Sequence, residues 1–211
     1  MTFCVPVQGV FATNCYFAID RESNHGFLID PGAEGERLVP LILERGWIIE
    51  KILLTHGHFD HFGGVDAVRD ALDIPVLIHE EGKAYLERPE LNLSHFCGGD
   101  LTVEGAQYFR DGNLLTLQEG NLQLRVIHTP GHTNDSCVLY DKAEKTAYVG
   151  DTIFRGSMGN PDDPTGNERL LLNSIRDRVL ALPDDTLLCS GHSDVTRVGA
   201  EKPRYLWRDE S

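Results

Sequence analysis

Apolar and polar positions along the chain change period several times, and each change marks an element. Cys4–Gln8, Cys15–Asp20 and Gly26–Asp30 are short runs rich in β-branched and aromatic residues. They predict three strands, the last closed by a Pro31-Gly32 turn. From Glu34 to Arg45 the apolar residues Leu38, Leu41 and Ile42 recur at helical spacing, and Gly46 supplies a stop. A strand over Lys51–Thr55 runs directly into Thr55-His56-Gly57-His58-Phe59-Asp60-His61. A helix is expected over Phe62–Leu72, a strand over Pro75–His79 and a helix over Glu80–Glu87. Residues 88–111, with Pro89, Gly98, Gly99 and Gly105, show no period and read as irregular. Four strands follow, over Asn113–Leu117, Asn121–Thr129, Cys137–Tyr140 and Thr146–Gly150. Then come a helix over Glu168–Leu182, a strand over Thr186–Ser190 and a final helix over Ala200–Arg208. Two β-rich halves, each accompanied by helices, predict two packed sheets with helices outside, an α/β chain folded as one domain over residues 1–211.

The segment between Thr55 and His61 changes this from an anonymous pattern into chemistry. In extended backbone, positions two apart share a side, so His56 and His58 can face one ion. The turn into a helix then presents Asp60 and His61 to a neighbouring point. Imidazole and carboxylate donors together suit zinc, iron or manganese. A loop of helix-capping residues, with Asp60 as the cap, is the plainer alternative, but four such side chains in six positions exceed what one cap uses.

Three further segments repeat one grammar, an apolar strand ending in a potential ligand: Val126–Thr129 before Pro130-Gly131-His132, Ala147–Val149 before Gly150-Asp151, and Leu187–Cys189 before Ser190-Gly191-His192. Taken singly each is a turn residue; together they place ligands at the edge where strand ends gather.

HGHFDH, then TPGHT, GDTIF and SGH in this order resembles the metallo-β-lactamase superfamily, and more narrowly its glyoxalase II-like (hydroxyacylglutathione hydrolase-like) members. Ala12-Thr13-Asn14-Cys15-Tyr16 and Leu28-Ile29-Asp30-Pro31-Gly32 are similar to that group's opening strands. The resemblance spans about Val5 to Lys202. It implies an αββα sandwich of two mixed sheets and a site for two divalent ions, zinc first, iron or manganese otherwise. His56, His58 and His132 would hold one ion, Asp60, His61 and His192 the other, with Asp151 bridging and Asp30 supporting the metal loop from behind. The implied reaction is thioester hydrolysis by a metal-bridging hydroxide, with Asp60 and Asp151 catalytic. Where short relatives read Gly-Ser-Ile-Gly-Arg-Thr-Asp, this chain reads Gly156-Ser157-Met158-Gly159-Asn160-Pro161-Asp162, so an arginine is replaced by Asn160. Phe59, Asn160 and Arg155 are the candidate substrate contacts. Leu91–Tyr108 is expected to form an extra loop over the site, bringing His95, Phe96 or Tyr108 close. His25, His79 and His128 read as structural.

Two readings from other classes stand beside the thioesterase. One is a persulfide dioxygenase with a single iron; the other is a metal-stabilised binding module. A lactonase would share all seven ligands.

Charge and composition narrow the partners. Nineteen basic against 33 acidic residues give a net charge of −14, which disfavours a phosphate backbone as partner. No apolar run approaches the roughly 20 residues of a membrane span, and the N-terminus has no basic start. A cytoplasmic enzyme acting on a small thioester or ester, as a monomer or homodimer, is the expectation. Five scattered cysteines with no close pair read as inert thiols.

Overall fold

Alternate side chains of the strand Ala12–Ile19 already lay out the architecture. Phe17 and Ile19 face one apolar cluster while Tyr16 and Ala18 face another, so this strand has a buried layer on each side. The computed structural model describes residues 1–206. In it, six strands form a first sheet in sequence order: β1 (Thr2–Gln8), β2 (Ala12–Ile19), β3 (His25–Ile29), β4 (Ile48–Leu53), β5 (Val76–His79) and β6 (Gln107–Phe109). β1 to β3 are antiparallel; β3 to β6 are parallel. The second sheet runs β7 (Leu114–Thr116), β8 (Gln123–His128), β9 (Cys137–Asp141), β10 (Thr146–Gly150), β11 (Leu187–Ser190) and β12 (Thr196–Arg197), with β10 and β11 parallel.

Phe27, Leu53, Leu124, Leu139 and Tyr148 fill the space between the sheets. Outside the first sheet lie α1 (Gly35–Arg45), the single turn α2 (Phe59–Phe62) and α3 (Val65–Leu72); Leu38, Ile42, Val65 and Val68 pack against Phe17 and Ile52. α4 (Lys83–Glu87) follows β5. Outside the second sheet, α5 (Glu168–Ser174) continues as a π-helical turn over Ile175–Val179, and α6 (Val198–Leu206) completes that layer. The result is the expected four-layer αββα sandwich. No helix among the described residues is long and apolar enough to cross a membrane.

Most boundaries fall within a residue or two of those expected, with three informative differences. The helix read over Phe62–Leu72 is two helices, α2 and α3, broken at Gly63-Gly64. The break lets the 30–35 loop lie directly on the segment 56–64: the Gly64 amide donates to the Pro31 carbonyl at 2.8 Å. The region expected to be irregular contributes β6 to the first sheet and a 3-10 turn over Ser94–Cys97. The helix read over Ala200–Arg208 begins two residues earlier, and its last two positions lie outside the described residues.

The loop contact is tight enough to require glycine. A Cβ on Gly32 would lie 1.7 Å from the Asp60 carbonyl oxygen, so any side chain there must push the metal loop away. Gly32→Ala is expected to destabilise the protein by about 1–3 kcal/mol, a Tm drop of roughly 3–10 °C by differential scanning calorimetry. An unchanged Tm would show that the two loops do not bear on one another.

Candidate metal centre

Four of the seven candidate ligands follow the C-terminal end of a strand. β4 leads through Leu54 and Thr55 to His56; β8 leads through Thr129-Pro130-Gly131 to His132; β10 ends next to Asp151 and β11 two residues before His192. Because β10 and β11 are parallel neighbours, their ends open on the same edge. His58, Asp60 and His61 arrive on the turn that starts α2.

The structure brings all seven side chains together. His56, His58 and His132 place ligand atoms within 4.8 Å of one another, as do His56, His61 and Asp151, and Asp60, His61 and His192. Asp151, itself in the second group, adjoins the other two: its Oδ1 lies 3.4 Å from His61 Nε2, and its Oδ2 lies 3.3 Å from His192 Nε2 and 3.7 Å from His132 Nε2. His192 Nε2 also lies 3.1 Å from Asp60 Oδ2.

These donors are oriented from behind, as ligating histidines require. His132 Nδ1 donates to the Asn160 carbonyl and His192 Nδ1 to the Ala12 carbonyl, both at 2.8 Å. Asp30 is the main support. Its Oδ1 accepts from the Thr55 amide at 2.8 Å, and its Oδ2 accepts from Thr55 Oγ1 at 2.7 Å and from His61 Nδ1 at 3.0 Å. Since the Thr55 hydroxyl proton points to Asp30, its oxygen is free to accept from His56 Nδ1 at 3.2 Å. Asp30 itself holds a left-handed backbone (φ 51°), a strained setting for a residue other than glycine that turns its carboxylate back onto the loop.

The donor set fits divalent ions. His56 Nε2 and Asp151 Oδ1 are buried without a hydrogen-bond partner, and His58 Nδ1 faces His132 Nε2 at 3.0 Å while His61 Nε2 faces His192 Nε2 at 3.3 Å. Imidazole nitrogens so opposed need a shared proton or cation between them. Gly191 forms part of the cradle, because a Cβ there would come 2.4 Å from Asp151 Oδ1 and 2.6 Å from His61 Cε1.

Electrostatics divide the site into two halves. Burial, with the neighbouring histidines, holds His56 well below its ordinary range and takes His58 down to about 3. Burial works the same way on His61 and His192, but carboxylates overcome it. Asp151, Asp30 and Asp60 hold His61 well above its usual value, and hydrogen bonds to Asp151 and Asp60 carry His192 up to about 10. Asp151 is correspondingly held well below the ordinary carboxylate range, against its own burial, by His61 and His192.

A cavity of about 310 Å³ opens onto the centre, lined by Phe11, His58, Phe59, Asp60, Leu93, Asn160, Asp163 and His192. Two of the expected substrate contacts, Phe59 and Asn160, are in its wall. Arg155 is not: it is exposed, bonds Asp194 at 3.2 Å and lines a separate cavity near α6. The loop expected over the site puts Leu93 in the cavity wall, and its Asn92 carbonyl accepts from the Phe59 amide at 3.0 Å. His95 is exposed and paired with Asp100, Phe96 is 69% exposed, and Tyr108 sits on β6, because β6 anchors that segment to the sheet edge. His25 pairs with Glu50, and His79 stacks on His128 with centroids 4.1 Å apart. All five cysteines are free thiols, three of them buried. A larger groove of about 840 Å³, between the outer face of β7–β9 and the π-helical turn, contains none of the seven ligands.

The sequence reading missed Phe11, Asp163 and Asp135. An apolar Phe11 at a hairpin tip, where polar residues are usual, was the available signal. Asp135 is fully buried behind Gly57, and its short Thr-Asn-Asp-Ser setting looks like an ordinary turn.

A profile of the metallo-beta-lactamase superfamily matches residues 8–192. The chain belongs to this superfamily. Over 195 residues, 92% of this chain and 91% of the relative, it is 37% identical to a probable metallo-hydrolase, YqgX, of Bacillus subtilis. It is 32% identical over 201 residues to the hydroxyacylglutathione hydrolase GloC of Haemophilus influenzae, covering 94% of this chain and 93% of that protein. The solved structure of the BLEG-1 B3 metallo-beta-lactamase superposes with a TM-score of 0.91 at 34% identity, covering 99% of this chain and all of that one.

Burial raises the Asp135 carboxyl from 3.8 to about 7, while Thr133 and the amides of Asp135 and Gly57 pull the other way. Its folded pKa therefore exceeds its unfolded one, so the native state binds the proton more tightly. Stability from this group is complete below about pH 4 and is lost as pH rises toward about 7. In metal-free protein, the Tm of Asp135→Asn minus that of wild type is expected to climb between pH 4 and pH 8. A difference independent of pH would contradict this ionisation.

Proposed function

We propose that this chain is a metal-dependent hydrolase of small hydroxyacyl thioesters, working with two divalent ions, zinc first among them. The observation that carries the reading is the position of Asp151: its Oδ2 lies near His132 of one set and His192 of the other, while its Oδ1 faces His61. In this assignment His56, His58 and His132 would hold one ion, Asp60, His61 and His192 the other, and Asp151 would contact both; Asp30 positions His61. Ions so held lower the pKa of water toward neutrality and polarise a carbonyl.

The chain's own groups account for the rest. Asp60 lines the cavity with its carboxylate held below the ordinary range, against its burial, chiefly by His61 and His192. It is placed to take a proton and return it to a departing thiolate. Phe11 and Phe59, rings 6.0 Å apart, and Leu93 give an apolar wall that holds the acyl thioester and excludes bulk water. Similarity to the Haemophilus influenzae hydroxyacylglutathione hydrolase over 94% of the chain supports the thioester reading. Similarity to a B3 metallo-beta-lactamase favours a second substrate class, lactams.

The test is turnover of S-D-lactoylglutathione and of an uncharged lactoyl thioester, beside a lactone, a β-lactam and glutathione persulfide with oxygen uptake followed, with metal content measured on the same sample. Two ions per chain and preferred thioester hydrolysis are expected. His58→Ala should lose an ion and about 100-fold or more in activity with its circular dichroism unchanged. Preferred opening of the β-lactam, or one iron per chain with oxygen consumption, would replace the thioesterase reading.

A further inference from the structure

The cavity mouth has an unusual charge balance. None of its eight lining residues is Lys or Arg, and the one acid outside the candidate ligand set, Asp163, stands half-buried there with Oδ1 accepting from Asn160 Nδ2 at 3.1 Å. A second cavity on the other flank of His192, lined by Ala12, Asn14 and Ser193, also has no Lys or Arg and carries Asp194. The nearby cation, Arg155, is bonded to that same Asp194. The remainder of the mouth is apolar: Phe11 is 50% exposed beside Phe59 and Leu93. Asp162 stands exposed next to Asp163, and the whole chain adds a net −14.

We infer that this site selects thioesters whose thiol half is uncharged and apolar, and that Asp163 is a specificity-determining residue that turns away anionic thiols such as glutathione. This rests on the thioesterase reading above and narrows it. A bound ion pair attracts the carbonyl oxygen whatever the thiol carries, so discrimination arises at the mouth. There a carboxylate on the substrate meets Asp163 and finds no Lys or Arg to pair with. An acetamide-capped thiol loses nothing in that position and gains contact with Phe11 and Leu93.

The experiment compares S-lactoyl-N-acetylcysteamine, which is neutral, with S-D-lactoylglutathione, which shares the acyl group and carries two carboxylates and one ammonium, a net negative charge. It uses metal-loaded wild type, Asp163→Asn and Asp163→Lys. Calorimetric binding of the matching S-hexyl thioethers, which are not hydrolysed, ranks the two thiols without turnover. Wild type is expected to favour the neutral member in kcat/KM and in thioether affinity. The gap should narrow by about three- to tenfold in Asp163→Lys and by less in Asp163→Asn, and it should shrink in high salt. Equal or better use of the glutathione thioester by wild type, or a gap unmoved in both variants, overturns the inference. If neither thioester is cleaved but the thioethers keep this ranking, the thioesterase reading falls and the charge selection stands.

Discussion

Seven imidazole and carboxylate side chains, five of them buried, are crowded around one point, and the rest of this fold is arranged to keep them there. Left alone, His58 and His132 would swing apart rather than set nitrogens 3.0 Å from one another. Three of the rings are fixed from behind: His132 by the Asn160 carbonyl, His192 by the Ala12 carbonyl, His61 by Asp30. Divalent ions in place of the protons on His61 and His192 would relieve the close contacts that the hydrogen bonds maintain.

The sandwich serves this by geometry. Two sheets packed through Phe27, Leu124 and Tyr148 bring the C-terminal ends of β4, β8, β10 and β11 to one edge, and each strand then needs only a short turn to present its ligand. The loop after β3 links the layers. Asp30 holds Thr55 and His61, and two residues later Gly32 lies against the Asp60 backbone. The support behind one half of the centre and the ligands in front are thus parts of one packed unit.

Much of this was legible in the sequence because the ligands follow apolar strands, and the strand pattern places strand ends without knowledge of pairing. The four layers followed from the alternation of strands and helices. The division of one helix into α2 and α3 was not legible: Gly63-Gly64 sits inside a helical pattern, and its reason is a contact with Pro31 thirty residues away. Residues 91–108 lack a period, so nothing local revealed that Gln107–Phe109 would join a sheet and draw Tyr108 away from the site. Asp135 and Asp163 were hidden for a related reason. An aspartate in a turn looks the same whether it is solvated, buried behind a metal loop or facing a substrate cavity, and tertiary packing alone separates these cases.

The central claim is that Asp151 joins two ion sites into one centre. A crystal structure of the zinc-loaded protein, with anomalous difference maps at the zinc edge, tests it directly. The account predicts two peaks roughly 3.5–4 Å apart, with one Asp151 oxygen on each or a single oxygen shared, and with His56, His58 and His132 around the first and Asp60, His61 and His192 around the second. A lone peak, or an Asp151 carboxylate turned away from both ions, would contradict it.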